Sequence, residues 1–161
     1  MKRIWIIFLT AVLLCGCGAQ ETMETVAAEY LQPVMVEKQQ LMLDLPEEAA
    51  SAASDTGAEV YFCQNYEIIR ETRDSGDLNR TLKALTGFDR AHLTVLETGT
   101  DDCRRYEFVW ASAGENGDRL GRGMILDDGN FHYCLSVLAD AEDAQNCQQV
   151  WEELFTSAVL G

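Results

Sequence analysis

Six cysteines and two histidines carry most of the reactive chemistry available to this chain of 161 residues. Four of the cysteines, Cys63, Cys103, Cys134 and Cys147, lie well inside the chain, where thiols serve as disulfide partners, metal ligands or nucleophiles. Four cysteines allow three pairings, and no Cys-x-x-Cys spacing occurs among them, so dithiol exchange and a zinc ribbon both lack their usual signature. His132 and Cys134 point to the same side of one extended segment, the beginning of a metal site that would need two more ligands from elsewhere. Buried thiols or a disulfide account for these cysteines more simply. His92 follows a helix terminus and reads as a surface or capping residue. Neither histidine sits in a nucleophile elbow or a His-Glu-x-x-His helix, no glycine-rich phosphate loop follows a strand, and a triad whose members meet only in space is left open. Asp127-Asp128-Gly129-Asn130 lacks the spaced carboxylates and the distal Glu of a calcium loop and reads as a hairpin turn; Asp101-Asp102 calls for the same caution. No catalytic residue, metal or cofactor is assigned. An envelope enzyme or redox protein, the alternative reading, would have to use Cys134, Cys103 or His132.

The fifth cysteine has a different context. Met1-Lys2-Arg3 is basic, and Ile4 to Leu14 is an apolar run too short to span a bilayer but of the right length for the core of an export signal. Leu14-Cys15-Gly16-Cys17 then resembles the bacterial lipobox, in which a small residue precedes the cysteine that receives diacylglycerol and becomes the new N-terminus. The expectation is cleavage between Gly16 and Cys17 and lipidation of Cys17. Cys15 stands where the motif more often has Ala, Ser, Thr or Val, and export with cleavage at another small residue such as Ala19 is the competing reading. Residues 1–16 are thus read as a signal peptide, 17–36 as a lipid-anchored tether interrupted by Pro33, with a short helix over Glu24 to Leu31, and 37–161 as one globular domain.

Charge narrows the partners. The chain carries −15, and losing residues 1–16 removes Lys2 and Arg3 but no acid, leaving −17 on 145 residues. Nucleic acid is excluded as a partner, because its binding rests on Lys and Arg neutralising phosphates. Each buried acyl methylene contributes about 0.8 kcal/mol, so a lipidated Cys17 holds the membrane firmly while the acidic domain is repelled by anionic headgroups. Two-lobed solute receptors need about twice the length of a single domain of this size.

The elements that must position these residues form an α+β pattern. Gln40 to Leu45 alternates as a strand, and Pro46-Glu47-Glu48 with the Ala/Ser stretch after it suits a short helix. Val60 to Cys63 and Tyr66 to Thr72 read as a strand pair around Gln64-Asn65. Asp77 caps a helix over Leu78 to Thr86, with Leu78, Leu82 and Leu85 on one face and Gly87 as its left-handed stop. Leu93 to Glu97 is a strand. Arg104 to Ala111, Arg119 to Leu126 and Asn130 to Leu138 form a meander turned by Asn116-Gly117 and Asp128-Gly129, each read as supplying the positive φ angles of a tight hairpin. In the last strand Phe131, Tyr133, Leu135 and Val137 face one way and His132, Cys134, Ser136 and Leu138 the other. Asp140 is then expected to cap a helix reaching about Ala158, with Cys147, Val150, Trp151, Leu154 and Phe155 on its buried stripe. If this helix covers the aromatic face of the last strand, Cys134 and Cys147 lie on opposite sides of the sheet and do not pair.

This order, with Leu85-Thr86-Gly87-Phe88-Asp89, Asp127-Asp128-Gly129-Asn130 and Tyr133, resembles the PsbP-like domains over about Gln40 to Gly161. The resemblance implies an α/β/α sandwich: a central antiparallel sheet with a C-terminal meander, packed by a short middle helix and a longer C-terminal helix. It also implies a helper or binding module rather than a catalyst, and it transfers no site residue. The combined expectation is a lipid-anchored protein on the extracytoplasmic face of the cell membrane, or on the outer membrane of a diderm. There it binds an envelope protein or cell-wall partner. Mass spectrometry of protein extracted from membranes should find Cys17 acylated at the N-terminus, and Cys17→Ala should release the protein from the membrane fraction; an unmodified N-terminus at Ala19 or later would refute the lipid anchor.

Overall fold

A computed structural model describes residues 36–52, 54, 57–114 and 117–161; the signal, Gly16, Cys17, the tether with its helix over Glu24 to Leu31, and Asn116 lie outside them. Lys38–Gly161 forms one compact unit. Its strands are β1 (Leu41–Met42), β2 (Ala50–Ala52), β3 (Glu59–Phe62), β4 (Tyr66–Asp74), β5 (Val95–Gly99), β6 (Arg104–Gly114), β7 (Gly117–Asp127), β8 (Phe131–Asp140) and β9 (Val159–Leu160). Helix α1 spans Leu78–Thr86 and α2 Gln148–Ser157, and a single 3-10 turn covers Arg90–His92. Seven strands make one antiparallel sheet in the order β2-β3-β4-β8-β7-β6-β5, while β1 and β9 pair separately.

The expected α+β sandwich is present, and β8 sits in the middle of it. Tyr133, Leu135 and Val137 are wholly buried in a cluster completed by Cys147, Trp151, Leu154 and Phe155, so α2 covers the aromatic face. Cys134 belongs to the opposite cluster, with Leu82 of α1 and Tyr106, Phe108 and Trp110 of β6. Strand β7 carries Gly121 opposite Trp110 and Gly123 opposite Phe108, and a Cβ at either glycine would collide with the facing ring. The two glycines therefore make room for the aromatic layer beneath α1. Beyond the reach of α2, Leu96 and Val109 remain exposed.

Helix α1 begins and ends as its sequence dictates. The Asp77 side chain accepts the Asn79 N–H at 2.9 Å, and Gly87, at φ 82°, donates its N–H to the Lys83 carbonyl at 2.9 Å. Helix α2 is tied to the sheet through guanidinium groups. Arg105 donates to the Phe155 carbonyl at 2.8 Å, Arg122 lies 4.7 Å from the centre of the Phe155 ring, and Glu107 bridges both arginines at 2.8 and 3.0 Å. The Glu107 carboxyl loses solvation, yet the two arginines hold it below the usual carboxylate range.

Several expectations need correction. The first strand shrinks to Leu41–Met42, because the Asp44 N–H is taken by Ser157 Oγ at 3.1 Å and Pro46 has no N–H to continue a ladder. Residues after Pro46 form no helix. Pro46 instead accepts from Ala49 in a turn, and Ala50–Ala52, which have no apolar stripe to bury, pair with the free edge of β3. The strand expected over Leu93 to Glu97 starts at Val95, since the 3-10 turn and its closing bond from Leu93 to Arg90 hold the preceding residues. Asp140 does not cap α2. Its carboxylate lies 3.6 Å from Arg119, its carbonyl closes two successive turns, and the helix starts only at Gln148, one residue longer than α1 in all. The β7–β8 turn uses one positive φ, at Gly129 (87°), rather than two. Asp128 supplies the rest by accepting from the Asn130 and Phe131 N–H groups at 2.9 and 2.8 Å.

Phe155 is 1% exposed and is bonded through ring and carbonyl to two strands. Phe155→Ala should lower unfolding free energy by about 3 to 5 kcal/mol in denaturant melts; a loss under about 1 kcal/mol would mean that α2 is not part of the cooperative core.

Candidate functional site

Two regions bring polar chemistry together, one at the surface and one inside. The surface region is a groove of about 900 Å³ between the 44–48 segment and the outer side of α2. Pro46 turns the chain so that Asp44, Glu47 and Glu48 form one wall, and Glu152 and Glu153 of α2 form the other. Leu45, Val150 and Leu154 supply apolar surface between them, and no basic residue lines the groove. The helix has no basic residue to offset this charge, and its glutamates are partnered only by glutamines one turn back, Gln148 with Glu152 and Gln149 with Glu153 at 3.4 and 3.0 Å. Tyr66 donates to Glu48 at 3.2 Å, which fixes one carboxylate at the rim.

The interior region joins α1, β8 and β7. Thr81 Oγ1 lies 2.8 Å from His132 Nδ1, His132 Nε2 lies 3.6 Å from Asp127 Oδ2, and Asp127 Oδ1 accepts from Ser75 Oγ and the Gly129 N–H at 3.2 and 2.9 Å. Hydroxyl, imidazole and carboxylate thus stand in the order of a catalytic triad. Access and spacing argue for another role. His132 is 1% exposed and Thr81 5%, and 3.6 Å is beyond hydrogen-bond range. A neutral ring that accepts from Thr81 carries its hydrogen on Nε2, which faces Asp127 and has no hydrogen-bond partner. The arrangement fastens α1 to the sheet. Thr81 and Ser75 border a groove of about 480 Å³ that Arg73 and Arg80 also line, and neither His132 nor Asp127 does.

Cys63, Cys103, Cys134 and Cys147 are all free thiols in this structure. Cys134 is wholly buried under α1; burial and the nearby Glu71 charge push its thiol well above the ordinary range. Cys103 is half-buried beside the β7–β8 turn, where burial and then the Asp128 and Asp127 charges raise its thiol. Cys63 and Cys147 both pack into the α2-side cluster, and burial raises each. A nucleophilic cysteine needs a lowered pKa, and all four move the other way. Cys134 and Cys147 lie on opposite faces of the sheet, as the strand alternation predicts. His92 is exposed in the 3-10 turn. Among the described residues no three His, Cys, Asp or Glu side chains are grouped to hold a metal, and His132 and Cys134, though on one side of β8, gather no further ligand. Sequence reasoning missed Thr81, Ser75 and the role of Asp127. A signal existed for Thr81, which occupies the middle of the α1 stripe formed by Leu78, Leu82 and Leu85.

Neither a protein-family model nor a curated protein matches the sequence. The fold has known counterparts. The solution structure of cyanobacterial PsbP (CyanoP) from Synechocystis sp. PCC 6803 superposes with a TM-score of 0.56 at 10% identity, over 81% of this chain and 96% of that one. LpqN of Mycobacterium tuberculosis, a protein described as involved in cell envelope biogenesis, superposes with a TM-score of 0.53 at 9% identity, over 81% and 87%. The chain therefore has a PsbP-like fold.

If the Thr81 to His132 bond is structural, Thr81→Val leaves a buried ring nitrogen unpaired and should cost about 1 to 3 kcal/mol of stability. Thr81→Ser should restore most of it. Equal stability of wild type and Thr81→Val would show that the contact does not hold α1 down.

Proposed function

We propose that this protein is a non-catalytic, lipid-anchored module of the cell envelope that binds a protein or cell-wall partner, and that the groove beside α2 is its docking surface. The observation that carries the reading is the groove itself: five carboxylates around an apolar floor with no base among its lining residues. Such a surface favours a partner that presents Lys or Arg around an apolar contact, because opposite charge steers encounter while apolar burial supplies affinity. The likeness to LpqN, described as involved in cell envelope biogenesis, supports an envelope setting. Membrane attachment is assigned to Cys17. No described helix is long and apolar enough to cross a membrane. The thiol-enzyme alternative would rest on Cys134, Cys103 or His132, and the burial of Cys134 and His132 together with the raised thiols of Cys134 and Cys103 argues against it.

A photo-crosslinking residue at Gln149 should capture a specific partner in intact cells, whereas the same residue at Thr98 of β5 should not. Glu152→Lys with Glu153→Lys should reduce that capture about tenfold or more with little change in melting temperature, as expected of surface charges. Equal capture at both positions, or capture indifferent to the charge reversals, would rule out the groove.

A further inference from the structure

The topology leaves one pair of cysteines in a position to meet. Cys63 follows β3, and its N–H donates to the Tyr66 carbonyl at 2.9 Å, so it belongs to the turn joining β3 to β4. Tyr66 is paired with Ala139, which puts that turn at the C-terminal end of β8. The chain leaves β8 at that same end, turns through Asp143 and reaches Cys147 on the α2 side of the sheet. Asp143 borders the same groove of about 430 Å³ as Cys63 and Tyr66, and both cysteines pack against one apolar cluster, which Cys103 also touches. Burial first, then the charges of Asp143 and Cys63, raise the Cys147 thiol.

The other two are separated from this pair. Cys103 immediately precedes Arg104, which lies opposite Asp127 at the far end of the sheet. The ten residues of β8 between the two ends span roughly 30 Å at about 3.3 Å each. Cys134 lies across the sheet under α1.

We propose that Cys63 and Cys147 are a disulfide pair, closed by exchange with a disulfide-bonded donor in an oxidising compartment. Cys63 is the entry sulfur, since it is half-exposed at an open groove whereas Cys147 is 4% exposed. Its thiolate attacks one sulfur of the donor, forming a mixed disulfide and releasing one donor thiolate. The Cys147 thiolate then attacks the Cys63 sulfur and releases the second. The two protein thiols give up two protons and two electrons, and the donor disulfide takes them to become two thiols. The bond would join the β3–β4 turn to the start of α2 and close a loop of 84 residues, a length at which a crosslink restricts the unfolded chain strongly. It rests on the exported location only for its oxidant, and is independent of the partner-binding reading.

The test uses the purified, reduced full chain equilibrated with oxidised glutathione, alkylated after unfolding and mapped without reductant. The expected result is one linked peptide joining Cys63 to Cys147, with Cys103 and Cys134 recovered alkylated and neither Cys15 nor Cys17 linked to any of the four. The melting temperature should rise by on the order of 10 °C and fall back with reductant. That rise should be absent from Cys63→Ser and Cys147→Ser, and if either variant fails to fold, the wild-type map alone decides. Recovery of all four as alkylated thiols, of Cys63 only as its glutathione adduct, or of a link to Cys103 or Cys134 would overturn the pairing. A partner captured at Gln149 with Cys63 and Cys147 unlinked would refute this proposal and leave the docking surface standing.

Discussion

A single strand with both faces buried governs the architecture. Strand β8 lies between β4 and β7, and nearly every residue from His132 to Ala139 is hidden from water. Because side chains alternate along a strand, its odd positions must meet one helix and its even positions the other. A slip of one residue would put Tyr133 and Leu135 beneath α1 and His132 beneath α2, where no hydroxyl waits for its ring. Register, helix placement and the segregation of Cys134 from Cys147 thus follow from one constraint. The neighbours accommodate it: β6 contributes three aromatics to the α1 side, and β7 answers with glycines where two of those rings lie flat.

The two faces use charge differently. On the α1 side Arg73 pairs with Glu71 at 2.9 Å beside the buried Thr81 to His132 contact, whereas on the α2 side arginines act as struts, since Arg105 and Arg122 reach from the sheet to Phe155 and share Glu107. Arg70 works similarly toward β1, donating to the Leu41 carbonyl at 2.7 Å while paired with Glu59. With Arg70, Arg105 and Arg122 engaged in this way and no basic residue on the helix itself, the outer side of α2 is left acidic. The groove there is as much a product of where the cations are used as of where the acids are.

Local signals were legible in the sequence and distant ones were not. Asp77 and Gly87 bound α1 because caps are properties of a few adjacent residues, and the meander followed from alternation in β6 and β8 with Gly117 and Gly129 between strands. The start of α2 misled because Asp140 looks like a helix cap, yet Arg119, more than twenty residues earlier in the chain, claims its carboxylate. Ala50–Ala52 became a strand only because β3 offers an unpaired edge, which no local pattern can announce. The two halves of the acidic groove are about a hundred residues apart, and Thr81 and His132 are 51 apart. Composition could foretell acidity, but only the fold could gather it.

The short pairing of β1 with β9 has a mechanical meaning. Gln40 and Gly161 exchange both backbone bonds, at 2.9 and 3.0 Å, and the Gln39 N–H donates to the Tyr133 hydroxyl at 3.0 Å. That hydroxyl in turn donates to Asp128, which holds the β7–β8 turn. A pull on the chain at Lys38 is therefore resisted first by a two-residue ladder, one phenol and the Arg70 guanidinium on the Leu41 carbonyl, and none of the ladders of the seven-stranded sheet lies in that first line. Strand β1 is thus the first element to take the load, and freeing it would draw the buried Leu41 out of the cluster beneath α2 and strip the Arg70 guanidinium of its carbonyl.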